Sequence, residues 1–221
     1  MHLDPDGRPF IALAAIPAAV AALSRKPAVA LGLGLLPVAV GAFFRDPERR
    51  PDAEPIVDRD LVLAPADGKV MHAGPPEPGV APPGDWQQIS IFLSVADVHI
   101  NRAPYGGRIE SVTYRPGRFL TAFSPESALE NERSEITVVA DVDGDERTLV
   151  FRQVVGLLAR RVVTRVAPGD TVATGERIGL MKFGSRMDVF VPPGVELLVA
   201  KGNKTVAGET PLARWIPGAT A

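Results

Sequence analysis

Two apolar stretches open the chain, and no later stretch equals them in length. Phe10-Ile11-Ala12-Leu13-Ala14-Ala15-Ile16-Pro17 runs on to Leu23, Ser24-Arg25-Lys26-Pro27 interrupts, and Ala28 to Phe44 is again uncharged. The second run matches the ~17–25 residues that span a bilayer, and the first has the length of an interfacial or re-entrant piece. Gly32, Gly34 and Pro37 lower helix propensity in water but are tolerated in membrane helices. A secretory signal fits poorly, because Asp4 and Asp6 stand beside only Arg8 ahead of Phe10. The pattern predicts an apolar helical anchor over residues 1–44, with a buried globular hairpin as the alternative. Arg45, Arg49 and Arg50 follow directly, which by the positive-inside tendency puts the main domain on the cytoplasmic side of the cell membrane.

Residues 45–60 read as a charged, proline-stiffened linker, carried by Arg45-Asp46-Pro47-Glu48-Arg49-Arg50-Pro51-Asp52. From Leu61 the apolar positions come in short runs broken by Gly and Pro. Leu61-Val62-Leu63, Ile89 to Leu93, Ile136 to Val139 and Thr148 to Phe151 have strand-forming composition, and Asp143-Gly144 is a hairpin turn. Helix is expected only around Ser124 to Arg133 and Val155 to Leu158. The fold class is therefore α+β, mainly β, with one sheet-rich domain over 61–221. A weak echo runs through it: Val166-Ala167-Pro168-Gly169-Asp170-Thr171-Val172-Ala173-Thr174-Gly175-Glu176 recurs loosely from Val199 to Glu209. Each copy reads as turn, short strand and turn. Paired copies of this kind resemble the half-barrels of lipoyl- and biotinyl-type domains.

Composition narrows the chemistry. The net charge of -2 leaves no broad basic field for nucleic acid. With no cysteine there is no disulfide, thiolate metal site or cysteine nucleophile, and with only His2, His72 and His99 a zinc site is not expected.

The chemically informative step is Gly184-Ser185, within Met181-Lys182-Phe183-Gly184-Ser185-Arg186-Met187-Asp188-Val189. A serine hydroxyl can attack the carbonyl just before it, and glycine puts no side chain in the way. The resulting ester can eliminate to dehydroalanine and then to a pyruvoyl group. A tight turn is the plain alternative. Two other segments supply partners for such a serine: Ala64-Pro65-Ala66-Asp67-Gly68-Lys69-Val70, with a carboxylate in a turn, and Asp97-Val98-His99-Ile100-Asn101-Arg102-Ala103-Pro104, with an imidazole after a strand. Acid, base and hydroxyl are the parts that deprotonate a serine and orient its base.

Those segments resemble the phosphatidylserine decarboxylase proenzymes, in particular their short, single-domain branch. The likeness runs from about Phe44 to the C-terminus and takes in Phe44-Arg45-Asp46-Pro47, Tyr114-Arg115-Pro116-Gly117, Asn131-Glu132-Arg133 and Phe183-Gly184-Ser185. It implies self-cleavage between Gly184 and Ser185 into a large chain, 1–184, and a small chain, 185–221, that stay associated. It implies a covalent pyruvoyl cofactor made from Ser185, without metal or pyridoxal phosphate. It also implies that Asp67 and His99 assist the serine. Longer members carry a second histidine three residues after the first; here that position is Arg102, which cannot serve as a base. Either His99 serves both maturation and proton delivery during decarboxylation, or the short branch assembles its site differently; His72 is a fallback. Arg102 and His99 are the expected substrate contacts, and Arg115, Arg118, Arg160 and Arg161 the alternatives for the phosphate. The implied substrate is phosphatidylserine in the membrane; homo-oligomerisation is left open.

Two rivals are carried forward. A pyruvoyl decarboxylase of a soluble amino acid would use the same chemistry but leave the apolar N-terminus unexplained. A membrane-tethered, non-enzymatic β-domain would make Gly184-Ser185 an ordinary turn.

Overall fold

The computed structural model describes residues 2–49, 58–124, 126–157, 161–182 and 185–216. It divides into two compact units, Met1–Glu48 and Arg49–Ala221, with the division inside the stretch read as a linker.

The first unit is a helical hairpin. Helix α1 (Arg8–Leu23) carries Pro17 in its interior, and α2 (Pro27–Leu33) and α3 (Leu35–Phe43) pack back against it. A two-residue ribbon, β1 (His2–Leu3) with β2 (Arg45–Asp46), ties the hairpin's two ends together in antiparallel register. The lengths reverse the expectation from sequence. The continuous membrane-length helix is the first one, Pro5–Leu23, and the second run breaks at Gly34 into two shorter pieces. Pro37 has no N–H to offer the Leu33 carbonyl and its ring crowds that group, so the helical ladder is interrupted one turn before it, at Gly34. Few apolar side chains of this unit are buried: Leu23 is 85 % and Leu31 80 % exposed.

The second unit is built on an eight-stranded antiparallel sheet that curls into a half-barrel. Along the chain its strands are β4 (Gly68–Gly74), β5 (Gln87–Leu93), β7 (Gly107–Arg115), β8 (Arg133–Val142), β9 (Asp145–Val154), β11 (Thr171–Val172), β13 (Ser185–Val191) and β15 (Lys204–Thr205). The spatial order is β11-β7-β8-β9-β13-β5-β4-β15. Two three-stranded sheets complete the unit. One joins β6 (Ile100–Arg102) and β10 (Val162–Thr164) to β12 (Arg177–Met181), and the other joins β3 (Leu61–Leu63) and β14 (Val195–Leu197) to β16 (Pro211–Trp215). Asp143 and Gly144 both take positive φ at the β8–β9 hairpin, as a two-residue turn requires. The only helix here among the described residues is α4 (Ser127–Glu130), inside the predicted 124–133. The helix expected near Val155 is absent: Val155 to Leu157 lie outside any helix, because the backbone leaves β9 extended and the Val155 N–H is taken by the Glu132 carbonyl. Leu158 lies outside the described residues.

Strand β13 is central and buried on both faces, so both halves of its period-2 pattern must be satisfied. Ser185, Met187, Val189 and Val191 alternate onto the core face, where the last three pack with Ile89, Ile91, Leu93 and Phe151. Burying each such apolar side chain contributes roughly 1.5–3 kcal/mol. Arg186, Asp188 and Phe190 point to the other face, which is polar apart from a small cluster around Phe190 and Val150.

The sequence echo turns out to be half of a larger internal symmetry. Gly169 and Gly202, both at positive φ, donate to the carbonyls of Ile109 and Val70. Gly175 and Gly208, also at positive φ, donate to the carbonyls of Ala103 and Ala64. The partners of the two echo copies are thus themselves equivalent: Ala64-Pro65-Ala66-Asp67-Gly68 matches Ala103-Pro104-Tyr105-Gly106-Gly107. The exchange is reciprocal, with Leu63 N–H donating to the Pro104 carbonyl at 2.8 Å and Arg102 N–H to the Pro65 carbonyl at 2.9 Å. Both copies carry a register shift at the same place, Val70/His72 in one and Ile109/Ser111 in the other.

Candidate active site

Ser185 is the first residue of β13 and lies directly opposite Leu93, the last residue of β5. It is fully buried, and its Oγ has no hydrogen-bond partner among the described residues. A buried hydroxyl left unpaired costs about 1–3 kcal/mol, so a fold that keeps one at the head of its central strand carries an uncompensated polar group there. Gly184, the residue before it, lies outside the described residues.

His99 is also buried. Its Nδ1 stands 2.9 Å from the Asp97 carbonyl oxygen, which can only accept. The proton of the neutral ring therefore sits on Nδ1, and Nε2 carries the lone pair. The Asp97 side chain is fixed in turn: its Oδ2 accepts from the Ser94 N–H at 2.7 Å and from Ser94 Oγ at 2.6 Å. The His99 carbonyl accepts from Met181 N–H at 3.2 Å, so the histidine is tied to β12 four residues before Ser185. Sequence reasoning quoted Asp97 inside the motif but missed this double service to Ser94 and His99. The Ser-x-x-Asp spacing was the available signal, since it closes a tight turn.

Asp67 sits in the turn before β4. Its Oδ2 accepts from Arg49 Nη2 at 2.8 Å and its Oδ1 from the Ala207 N–H at 2.8 Å, while Arg49 Nη1 also faces Glu209 at 3.7 Å. Gly68 and Ser185 flank the same end of β5: Lys69 is paired with Phe92 on one side, and Ser185 with Leu93 on the other. Two strand spacings separate them, on the order of 10 Å. Gly68 is required there, because a Cβ would stand 2.1 Å from the Phe92 carbonyl oxygen, at φ +155°. The sequence offered no hint of Arg49 as the partner of Asp67. The equivalent of Asp67 in the other half is Gly106, so the turn itself does not need an acid.

On the outer face the residue after Ser185 anchors a buried charge network. Arg186 Nε donates to Asp188 Oδ1 at 2.6 Å, and its Nη2 donates to Glu77 Oε2 at 2.5 Å and Ser90 Oγ at 3.0 Å. Ser90 Oγ donates to Asp188 Oδ1 at 2.6 Å, and Gln88 bridges Glu77 and Ser90. Burial works to raise the Glu77 carboxyl, but the Arg186 guanidinium outweighs it and holds the group below its ordinary value. Burial likewise works to lower Arg186, and its two carboxylates reverse that.

A cleft of ≈ 1080 Å³ opens beside these groups, lined by Asp67, Ser94 and Asp97, by Lys69, Lys201 and Lys204, and by Phe92 and Phe123. The two rings stack with centroids 3.8 Å apart. Phe92 and Ser94 flank Leu93, the cross-strand partner of Ser185, so the cleft opens beside the strand end where Ser185 lies, while Ser185 and His99 are not among its lining residues. Arg102 is not among its lining residues; it is 5 % exposed, and its Nη1 donates to the Gly175 carbonyl at 2.8 Å. His72 bonds through Nε2 to the Pro75 carbonyl at 2.6 Å. Arg118 pairs with Glu130 at 2.8 Å, Arg115 and Arg161 are exposed, and Arg160 lies outside the described residues. Among the described residues no cluster of acids and histidines is placed to hold a metal ion.

Comparison with known proteins gives the family. A family model described as phosphatidylserine decarboxylase matches residues 38–213. Named phosphatidylserine decarboxylase proenzymes are similar along almost the whole chain. The protein from Solibacter usitatus is 44 % identical over 204 residues, 92 % of each chain. Those from Nitrobacter winogradskyi and Erythrobacter litoralis are 40 % and 43 % identical over 96 % of this chain, and over 83 % and 87 % of their own length.

Proposed function

The chain belongs to the phosphatidylserine decarboxylase family, and from that premise we propose that it is a membrane-bound proenzyme. It cuts itself at Gly184-Ser185 and then decarboxylates phosphatidylserine to phosphatidylethanolamine and CO2. The observation that carries this reading is Ser185 Oγ, buried at the head of the central strand and without a hydrogen-bond partner among the described residues. A hydroxyl without a hydrogen-bond partner is available to the one electrophile that is always beside it, the carbonyl of the preceding residue.

In maturation, Oγ attacks the Gly184 carbonyl carbon, the peptide C–N bond breaks and an ester forms. His99, with Nδ1 pinned to Asp97, presents Nε2 as the base for the hydroxyl proton. Asp67, held by Arg49 and the Ala207 N–H, supplies fixed negative charge on the far side of β5. Elimination across Cα and Cβ of residue 185 releases the Gly184 carboxylate. Water then replaces the nitrogen, which leaves as ammonia, and residue 185 becomes the pyruvoyl terminus. The residues fit such a group: Ser185 Oγ has no hydrogen bond to a described residue that its departure would break. When present, the pyruvoyl group supplies an electron sink for the carbanion formed as CO2 leaves.

The chain's own residues do the rest. His99 delivers the proton to the substrate α-carbon. The network around Arg186 keeps the first residues of the small chain in register after the covalent link is cut. The exposed apolar hairpin of the first unit gives a reason for a lipid substrate, because a tethered site meets phosphatidylserine by lateral diffusion. We assign the catalytic unit to the cytoplasmic face from Arg45, Arg49 and Arg50.

Intact-mass measurement tests the proposal. Wild-type protein should yield two fragments, and Ser185→Ala a single whole chain. Borohydride should add two hydrogens to the terminus of the small fragment. Fragments from Ser185→Ala, or a small fragment that begins with a free amine, would sink the reading.

A further inference from the structure

Lys69 and Lys204 stand directly opposite each other across the β4–β15 ladder. Side chains so placed share one face with Cβ atoms roughly 4.5–5.5 Å apart, and like charges there destabilise the pair. No acid relieves them, for neither makes an ion pair with a described residue. The three acids of the cleft are engaged elsewhere: Asp67 by Arg49, Glu77 by Arg186 and Asp97 by Ser94. Lys201 adds a third cation from the turn that precedes β15, closed by the Asn203 side chain on the Ala200 N–H at 2.8 Å.

The internal symmetry shows that the fold does not ask for this arrangement. In the other half the equivalent cross-strand pair is Arg108 with Thr171, one cation opposite a hydroxyl, and Lys201 is matched by Pro168. Both halves form the same turns and the same bulge with different charge. The lysines are therefore a local addition to one cleft, kept at a cost in stability.

We infer that Lys69, Lys204 and Lys201 form an anion site for the phosphodiester of the lipid headgroup. The inference rests on the decarboxylase reading and deepens it. Lys69 is paired with Phe92, and Phe92 with Arg186, the neighbour of Ser185, so the cations lie two strands away on the outer face, in a cleft that opens beside the strand end Ser185 heads. The serine headgroup separates amine and phosphorus by a short bridge, which suits an amine at residue 185 and a phosphate toward β4. Phe92 and Phe123 wall the same cleft and offer the glycerol and first methylenes an apolar surface.

The test uses full-length, cleaved protein with phosphatidylserine in phosphatidylcholine vesicles. The double variant Lys69→Gln/Lys204→Gln should cut itself normally and keep kcat within about twofold. Its KM should rise at least about tenfold, the loss expected for two charge-assisted contacts. Its unfolding midpoint should stay level or rise, since a like-charge pair is removed; a merely structural role predicts a fall. Lys69→Arg/Lys204→Arg should restore KM. Glycerophosphoserine should inhibit the wild type competitively and the double variant far more weakly, which assigns the site to the phosphodiester. If inorganic phosphate inhibits as well as glycerophosphoserine, or if KM rises on vesicles while inhibition by glycerophosphoserine is unchanged, the headgroup assignment is overturned. An unchanged KM overturns the site altogether. Wild-type protein that neither cuts nor decarboxylates on these vesicles would count against the decarboxylase reading instead.

Discussion

Asp67 and Gly106 hold equivalent positions in two copies of one turn, and only Asp67 carries a carboxylate. In one copy Asp67 Oδ1 accepts from the Ala207 N–H, and in the other the Gly106 N–H donates to Thr174 Oγ1, both at 2.8 Å. The same backbone closes with or without the acid. Asp67→Asn should therefore keep the fold while slowing self-cleavage by tenfold or more. The expected loss of stability is about 1–3 kcal/mol, from leaving Arg49 without its closest carboxylate. Urea unfolding and time-resolved gel analysis of the precursor measure the two effects separately.

The two matched glycines give a second contrast. A Cβ on Gly68 would stand 2.1 Å from the Phe92 carbonyl oxygen, and one on Gly107 would stand 2.5 Å from that of Val139. Both sites have φ near +155°, so alanine at either should destabilise by more than about 1–3 kcal/mol. Gly68→Ala also pushes β4 from the end of β5 beside Ser185. At a temperature where both variants remain folded, cleavage should slow in Gly68→Ala and persist in Gly107→Ala.

Arg186 should prove the costliest residue of the small chain to replace. Arg186→Met leaves Asp188 and Glu77 facing each other without a cation, and truncating one side of a buried pair costs roughly 3–5 kcal/mol. Asp188 is fully buried and already has one oxygen unpaired. A double variant, Arg186→Met with Asp188→Leu, should recover part of that loss in chemical denaturation.

The same network predicts an acid-side dependence. Glu77 is held below its ordinary value of 4.5, so its contribution to stability is complete above that pH and disappears as pH falls through the lower folded value. Glu77→Gln should therefore be clearly less stable than wild type at pH 7, with the gap closing as pH falls below 4.5. Unfolding midpoints measured across pH 3–7 check the sign; a gap that widens toward acid contradicts it.

Much of the architecture was legible locally. Leu61–Leu63, the Ile89–Leu93 run, Ile136–Val139 and Thr148–Phe151 all lie in strands, and Asp143-Gly144 closes the hairpin. Alternation and turn chemistry act between neighbours in the chain, so they can be read from neighbours. The α4 segment and the echo from Val166 and Val199 were visible for the same reason. The helix expected at Val155 failed because the Val155 N–H is bonded to Glu132, which is distant in sequence. The lengths of the apolar helices were misjudged because Pro37, without an N–H, interrupts the second one near Gly34.

The amino-acid order by itself determined the chemical vocabulary: a serine after a glycine, one histidine beside a strand, an acid in a tight turn, and a charge-free N-terminus. Only the folded chain decided which of these words are spoken together. Arg49 reaches Asp67, and Lys69 meets Lys204, in each case through side chains or strands that no local pattern relates. The reason is physical. Strand pairing and ion pairs join groups by distance in space, and a sequence records only distance along the chain.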